Sequence, residues 1–394
     1  MRTISSCLFV LVTVAMIASV ADIALADNTK SYEYDWYGYI KLDGAYDQNL
    51  TSHGNFVMWV NPEGVKDDEQ FNMTANETRF GLMVKSLGNP EIKVAGQVEF
   101  DLYAGVTGGK VAENKAMLQL RHAYFSIEKK NFGVLAGQSW DLISPLNPAT
   151  LNYPVLWGAG NIGYRRPQIR MWNNFGQGKT KAQLAAGFFR TIGSDLTPTL
   201  TLATGETSEG SDDGTDAGIP SFQGLFDVNH EFASGAKVRF GASGLWGRLK
   251  AETNLGNSEK YESWAACGHF MVSTRSGFGF STEVFTGANL NSYFGGIVNN
   301  DRVDGLESKG GWAAVWMQAS KQVKLTAGAG LDDPDDAELS DTNRSKNQSI
   351  FANIRYAVVP AATIGLEVSQ WSTDYRNADQ AQTMRVQTSF IFNF

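Results

Sequence analysis

Between Met384 and Phe394, Met384, Val386, Thr388, Phe390, Phe392 and Phe394 alternate one for one with Arg385, Gln387, Ser389, Ile391 and Asn393. A period of two puts the sets on opposite faces of a β-strand, whereas a helix would mix them. The alternation returns along the chain. Trp36, Gly38, Ile40, Leu42, Gly44 and Tyr46 oppose Tyr37, Tyr39, Lys41 and Asp43, with an aromatic at each end of the apolar stripe. Ile92, Val94, Gly96, Val98, Phe100 and Leu102 oppose Lys93, Ala95, Gln97, Glu99 and Asp101, and residues 238–246 and 350–358 behave alike.

Sixteen such segments can be placed, near 36–47, 76–86, 91–102, 116–127, 132–139, 164–173, 180–190, 221–232, 236–249, 261–272, 277–287, 311–320, 322–331, 349–358, 362–372 and 382–394. The fourth, fifth and twelfth alternate least well. Short turns such as Leu87-Gly88-Asn89-Pro90, Ala233-Ser234-Gly235 and Val359-Pro360-Ala361 interleave with long polar connections. A soluble all-β sandwich also alternates, but its apolar face is a core that needs neither aromatic ends nor turns and loops alternating in length. The pattern predicts an all-β fold, a 16-stranded antiparallel transmembrane β-barrel over residues 36–394 with short periplasmic turns and long outer loops. Closure pairs every backbone group, as lipid demands.

Residues 1–26 read as a cleaved signal peptide: Arg2 begins it, Cys7 to Val20 is an apolar run, and Ala24-Leu25-Ala26 is a small-residue cleavage site. Residues 27–35 then form a short periplasmic segment before the barrel. Of the two cysteines only Cys267 follows the signal, so no internal disulfide framework is expected. The four histidines are scattered without metal-ligand spacing, and no metal or cofactor is expected. A net charge of −8, unchanged when Arg2 and Asp22 leave with the signal, argues against a nucleic-acid partner. A hydrolase would need a nucleophile, a histidine and an orienting partner; none is readable around His122 or His269, so the chain is not read as an enzyme. The terminal strand ending in Phe394 looks like the assembly signal of outer-membrane barrels, which places the protein in the outer membrane of a Gram-negative-type cell.

Three stretches carry a family resemblance. They are Tyr37-Gly38-Tyr39-Ile40-Lys41-Leu42-Asp43; Leu120-Arg121-His122-Ala123-Tyr124 with Leu135-Ala136-Gly137-Gln138-Ser139-Trp140; and Arg165-Arg166-Pro167-Gln168-Ile169-Arg170. In order and spacing they resemble the DcaP-like porins, trimeric 16-stranded outer-membrane channels associated with uptake of dicarboxylates and other small anions. The resemblance implies a homotrimer and passive or facilitated diffusion of small hydrophilic solutes with a preference for anions such as dicarboxylates. DcaP carries a helical extension before its barrel, whereas residues 27–35 are too few for a stable coiled coil, so trimerisation would rest on the barrel wall. A general non-selective porin and a plugged structural or adhesive barrel are the alternatives.

Residues 140–163 are the third outer connection. It holds Pro145, Pro148 and Pro154 among Leu142, Ile143, Leu146, Leu151, Val155, Leu156 and Trp157. So much apolar surface has no use in water, and in general porins the equivalent loop folds inward. The resemblance makes it a candidate constriction, with Asp141 its one charge; packing at a subunit interface is the other reading. Arg79, Lys85, Arg121, Arg166, Arg170 and Lys181 fall on the polar phase of the neighbouring strands, with Lys41 nearby and Lys237, Arg239, Arg355 and Arg385 farther round. In a water-filled lumen this ladder attracts anions. The expected solute-contacting set is Arg121, Arg166, Arg170, Arg79, Lys41, Lys181 and Asp141. Against it stand Asp43, Glu99, Asp101, Glu283 and Glu367, and Glu99 lies close enough in register to pair with Arg79. The acid-rich stretches 208–216 and 332–341 lack EF-hand spacing and read as solvated loops, facing lipopolysaccharide.

Overall fold

Alternating sequence becomes a wall whose two faces meet different surroundings. The computed structural model describes residues 32–62, 69–104, 116–193, 200–201, 207–208, 213–254, 257–302 and 304–394. The signal peptide expected over 1–26, residues 27–31 and residues 209–212 of the first acidic stretch lie outside the described residues.

The wall strands are β1 (Tyr32–Asp47), β2 in two pieces (Gln70–Thr74 and Arg79–Ser86), β3 (Ile92–Ala104), β4 (Met117–Lys129), β5 (Phe132–Trp140), β6 (Arg165–Phe175), β7 (Thr180–Phe189) and β8 (Ser221–Glu231). There follow β9 (Lys237–Asn254), β10 (Asn257–Ser273), β11 (Phe278–Ala288), β12 (Glu307–Gln318), β13 (Val323–Pro334), β14 (Arg344–Val359), β15 (Ala362–Tyr375) and β16 (Ala378–Asn393). All sixteen expected segments are strands. Each pairs antiparallel with its sequence neighbours, and β1 pairs with β16 from Tyr39 opposite Asn393 to Asp47 opposite Arg385, which closes the barrel. β1 starts at Tyr32: residues 32–35, expected to precede the barrel, pair with Met83–Ser86 of β2.

The outer face is apolar. Trp36 (68% exposed), Val284 (60%) and Ile350 (67%) lie on it, while Lys41, Asp43 and Asp47 of β1, Glu283 of β11 and Glu367 of β15 face inward and are buried. An exterior of this kind is stable against hydrocarbon and costly against water. At the seam, Phe394 of the last strand meets Phe80, ring centroids 5.8 Å apart, and Phe80 meets Phe100 at 5.9 Å.

Two of the poorly alternating strands, β4 and β12, have local causes. On β4 the register steps from Glu99 opposite His122 to Phe100 opposite Leu120, so Arg121 is an extra residue, and it and His122 are both buried. This is a β-bulge, which re-aims side chains and breaks the period. On β12 an aromatic points inward because something packs there: the Trp312 indole donates to Glu283 at 3.3 Å and joins a buried cluster with Leu146 and Leu156 of the third connection. In β2, residues 75–78 interrupt the strand and carry Glu77 to the Tyr39 hydroxyl (3.1 Å) and the Lys41 ammonium.

Candidate functional site

The third connection leaves β5 at Asp141 and returns to β6 at Arg165, and its polar contacts trace a path across the inside of the barrel. The Leu142 amide donates to Gln223 of β8 at 2.7 Å, and the Ser144 amide to Ser243 of β9 at 3.2 Å. On β11, Glu283 accepts from the Ser144 hydroxyl and from the Leu146 amide at 2.8 Å. On β14, Arg355 donates to the Ala149 and Thr150 carbonyls at 3.3 and 2.9 Å. Glu367 of β15 accepts from the Thr150 hydroxyl (2.6 Å) and the Leu151 amide (2.7 Å). The Leu151 carbonyl then receives Lys41 of β1 at 3.1 Å and Gln387 of β16 at 3.0 Å. Three prolines lack N–H donors, and wall side chains take up loop amides, so the segment needs no secondary structure of its own. Its apolar side chains meet inward-facing Trp312, Phe351 and Trp371. Burying each leucine contributes about 1.5–3 kcal/mol.

Two other connections join it there, and the sequence reading had not singled them out. In residues 48–62, the Asn152 side chain exchanges hydrogen bonds with the backbone of Val57, and Asn347 donates to the carbonyls of Met58 (2.6 Å) and Gly158 (2.7 Å). In residues 289–306, Phe294 stacks on Trp157 with centroids 4.6 Å apart, and the Ile297 amide donates to Asp332 at 3.2 Å. Asp332, read as the start of a solvated acidic loop, is instead a buried wall residue of β13. Apolar content would have found both: Phe56-Val57-Met58-Trp59-Val60 and Leu290, Tyr293, Phe294, Ile297 and Val298 resemble the third connection in composition.

The expected basic residues divide sharply. Arg121 is buried and held by Glu99 at 2.6 Å and Asp101 at 2.7 Å. Arg166 is buried, 2.9 Å from Asp141, donates to the Ser292 carbonyl at 3.0 Å and lies 3.8 Å from the Tyr293 ring. Lys41 is held by Asp43 at 3.2 Å and by Glu77. Arg79 is partly exposed, 3.7 Å from Glu99, and 5.0 Å above the Tyr39 ring. Lys181 is exposed near the periplasmic end of β7, in a cluster with Lys179, His230, Lys237 and Arg239. Arg170 differs: its one hydrogen bond is to the Trp140 carbonyl at 3.2 Å, and among the described residues no carboxylate pairs with it. Asp141 has its oxygens occupied by Arg166, the Tyr164 amide (2.9 Å) and Gln223 (2.7 Å). Arg165, quoted for its motif and not as a site residue, is a buried cation between the rings of Trp140 (4.8 Å) and Tyr164 (4.4 Å).

Arg170 opens into a cavity of about 440 Å³. Leu142, Ile143, Ser144, Pro145 and Asn147 of the third connection roof it; Trp172 and Asn174 of β6, Gln183 of β7, Leu225 of β8 and Glu128 of β4 wall it.

No family model and no curated protein sequence matches the chain. Solved structures do. The outer membrane channel DcaP of Acinetobacter baumannii is similar over 94% of this chain and 99% of its own, with a TM-score of 0.70 and 19% identity. An anion-selective porin from Comamonas acidovorans covers 92% of this chain and 100% of its own at a TM-score of 0.55 and 10% identity. OmpT of Vibrio cholerae, in a trimer form, gives 92%, 100%, 0.54 and 11%. At these identities the likeness is one of fold, and the fold is the closed 16-stranded antiparallel barrel of the outer-membrane porins.

Proposed function

We propose that the chain is an outer-membrane diffusion porin, not an enzyme, exported by its signal peptide and assembled as a homotrimer, whose lumen is narrowed by residues 141–164 and favours small anions. The narrowing rests on the polar contacts that carry this loop from β8 to β1. The observation that carries the anion preference is Arg170, a lumen guanidinium without a carboxylate partner among the described residues, while Glu283 and Glu367 are engaged by loop donors. Acids in the outer connections are screened by salt over about 8–10 Å, so the wall nearest the passage dominates the field. The channel-forming and anion-selective proteins of the same fold support this reading, and the trimer form of OmpT supports the assembly. Arg170, Arg79 and Lys181 are the residues a passing anion meets; Arg121, Arg166, Lys41 and Asp141 hold the wall and loop in shape.

Reversal potentials in a potassium chloride gradient across a planar bilayer test the reading, with anion selectivity expected and cation selectivity defeating it. The convergence of three connections in the lumen favours a second reading, a plugged structural barrel. That reading predicts no ion current at all from correctly folded protein.

A further inference from the structure

The cavity beneath the third connection offers one open charge on a lining that mixes apolar and neutral polar side chains. Arg170 donates to the Trp140 carbonyl and keeps the rest of its planar fork for a ligand. Of the other ionisable side chains on the lining, Asp141 is saturated by Arg166, Gln223 and the Tyr164 amide, and Glu128 pairs at the rim with Lys93 at 3.1 Å. The roof backbone contributes no second anion receptor, because the Leu142 amide is taken by Gln223 and the Ser144 amide by Ser243. The roof presents Leu142, Ile143 and Pro145 beside the neutral polar Ser144 and Asn147. Trp172 completes the apolar lining: it packs against Leu142, Ala185, Phe189 and Leu225, and its ring lies so close over Gly133 that a Cβ there would come within 2.1 Å of it.

We propose that this cavity is a binding station for monocarboxylates with an apolar or aromatic body, the carboxylate on Arg170 and the body against Trp172 and the loop. The proposal rests on the porin reading for its place on a solute path, but not for the binding itself. A dicarboxylate gains little here. Its second carboxylate would leave water for a site that offers it the neutral amides of Asn147, Asn174 and Gln183 but no second cation, beside the carboxylates of Asp141 and Glu128. Arg166, the second guanidinium expected to face such a solute, is closed by Asp141 and Tyr293.

Isothermal titration calorimetry on the full-length protein in detergent, with phenylacetate, acetate and succinate as probes, tests the binding. Phenylacetate should bind about tenfold more tightly than either other probe, as expected for burial of one ring. Arg170→Gln should weaken phenylacetate about tenfold, the scale of one charged hydrogen bond. Trp172→Leu should weaken it while leaving acetate unchanged. Succinate binding as tightly as phenylacetate, or phenylacetate binding indifferent to Arg170→Gln in protein that keeps its heat-modifiable barrel, overturns the proposal. Planar-bilayer current, measured separately, distinguishes the two readings. Binding without current leaves the station and removes the porin, whereas current without preferential phenylacetate binding removes only the station.

Discussion

The third connection has two flanks, and they treat the same residue types in opposite ways. On the far flank, along β11, β14, β15 and β1, every charged side chain that reaches the loop is engaged: Glu283 and Glu367 by hydroxyls and amides, Arg355 and Lys41 by carbonyls. On the near flank, along β6 to β8, Arg166 and Gln223 hold the start of the loop, but beyond them it stands over a cavity of about 440 Å³ and leaves Arg170 open to it. A lumen charge is therefore a fastener or left open according to what the loop places opposite it.

Removing the fasteners should have the largest effect. In Glu283→Ala/Glu367→Ala, the Leu146 and Leu151 amides and the Thr150 hydroxyl lose their acceptors, at roughly 1–3 kcal/mol for each group left buried and unpaired. The loop should leave the lumen, with higher single-channel conductance and a lower temperature of heat modification. Unchanged conductance would mean that apolar packing on Trp312 and Trp371 alone holds it.

Arg121→Ala comes next. It leaves Glu99 and Asp101 facing each other without their shared arginine, a loss of about 3–5 kcal/mol for a broken buried pair. Thermal unfolding should show that loss while the reversal potential stays near that of the unmutated channel. A large change in selectivity with little change in stability would move Arg121 from fastener to solute contact.

Arg170→Ala is the converse and the smallest in stability. Its single side-chain hydrogen bond, from a charged group to a carbonyl, is worth about 1.5–3 kcal/mol, yet the reversal potential should move toward cation selectivity. Selectivity that survives both arginine substitutions would shift the anion contact to the periplasmic cluster around Lys181 and Lys237.

Strand positions were legible because lipid and lumen impose opposite demands on successive residues, and a period of two records those demands directly in β1, β3 and β16. Where the period failed, a bulge placed Arg121 inside beside His122, and a loop folded into the barrel gave inward-facing Trp312 an apolar partner. The inward folding of residues 140–163 was also foreshadowed, since prolines and leucines in a long connection need a surface to cover. The same apolar composition at 56–60 and 290–298 carries the same signal, but only the closed barrel shows that these runs pack on the third connection.

In the regularly alternating strands the sequence alone determined which side chains face lipid and which face the lumen, because facing there depends only on whether a residue is odd or even. It could not determine which lumen charges cancel. The contact between Ser144 and Glu283 joins residues 139 apart, and that between Thr150 and Glu367 joins residues 217 apart. Only closure of the barrel and the course of the loop across it decide that Arg121 and Arg166 meet carboxylates while Arg170 does not. A local period carries no information about partners brought together from opposite walls.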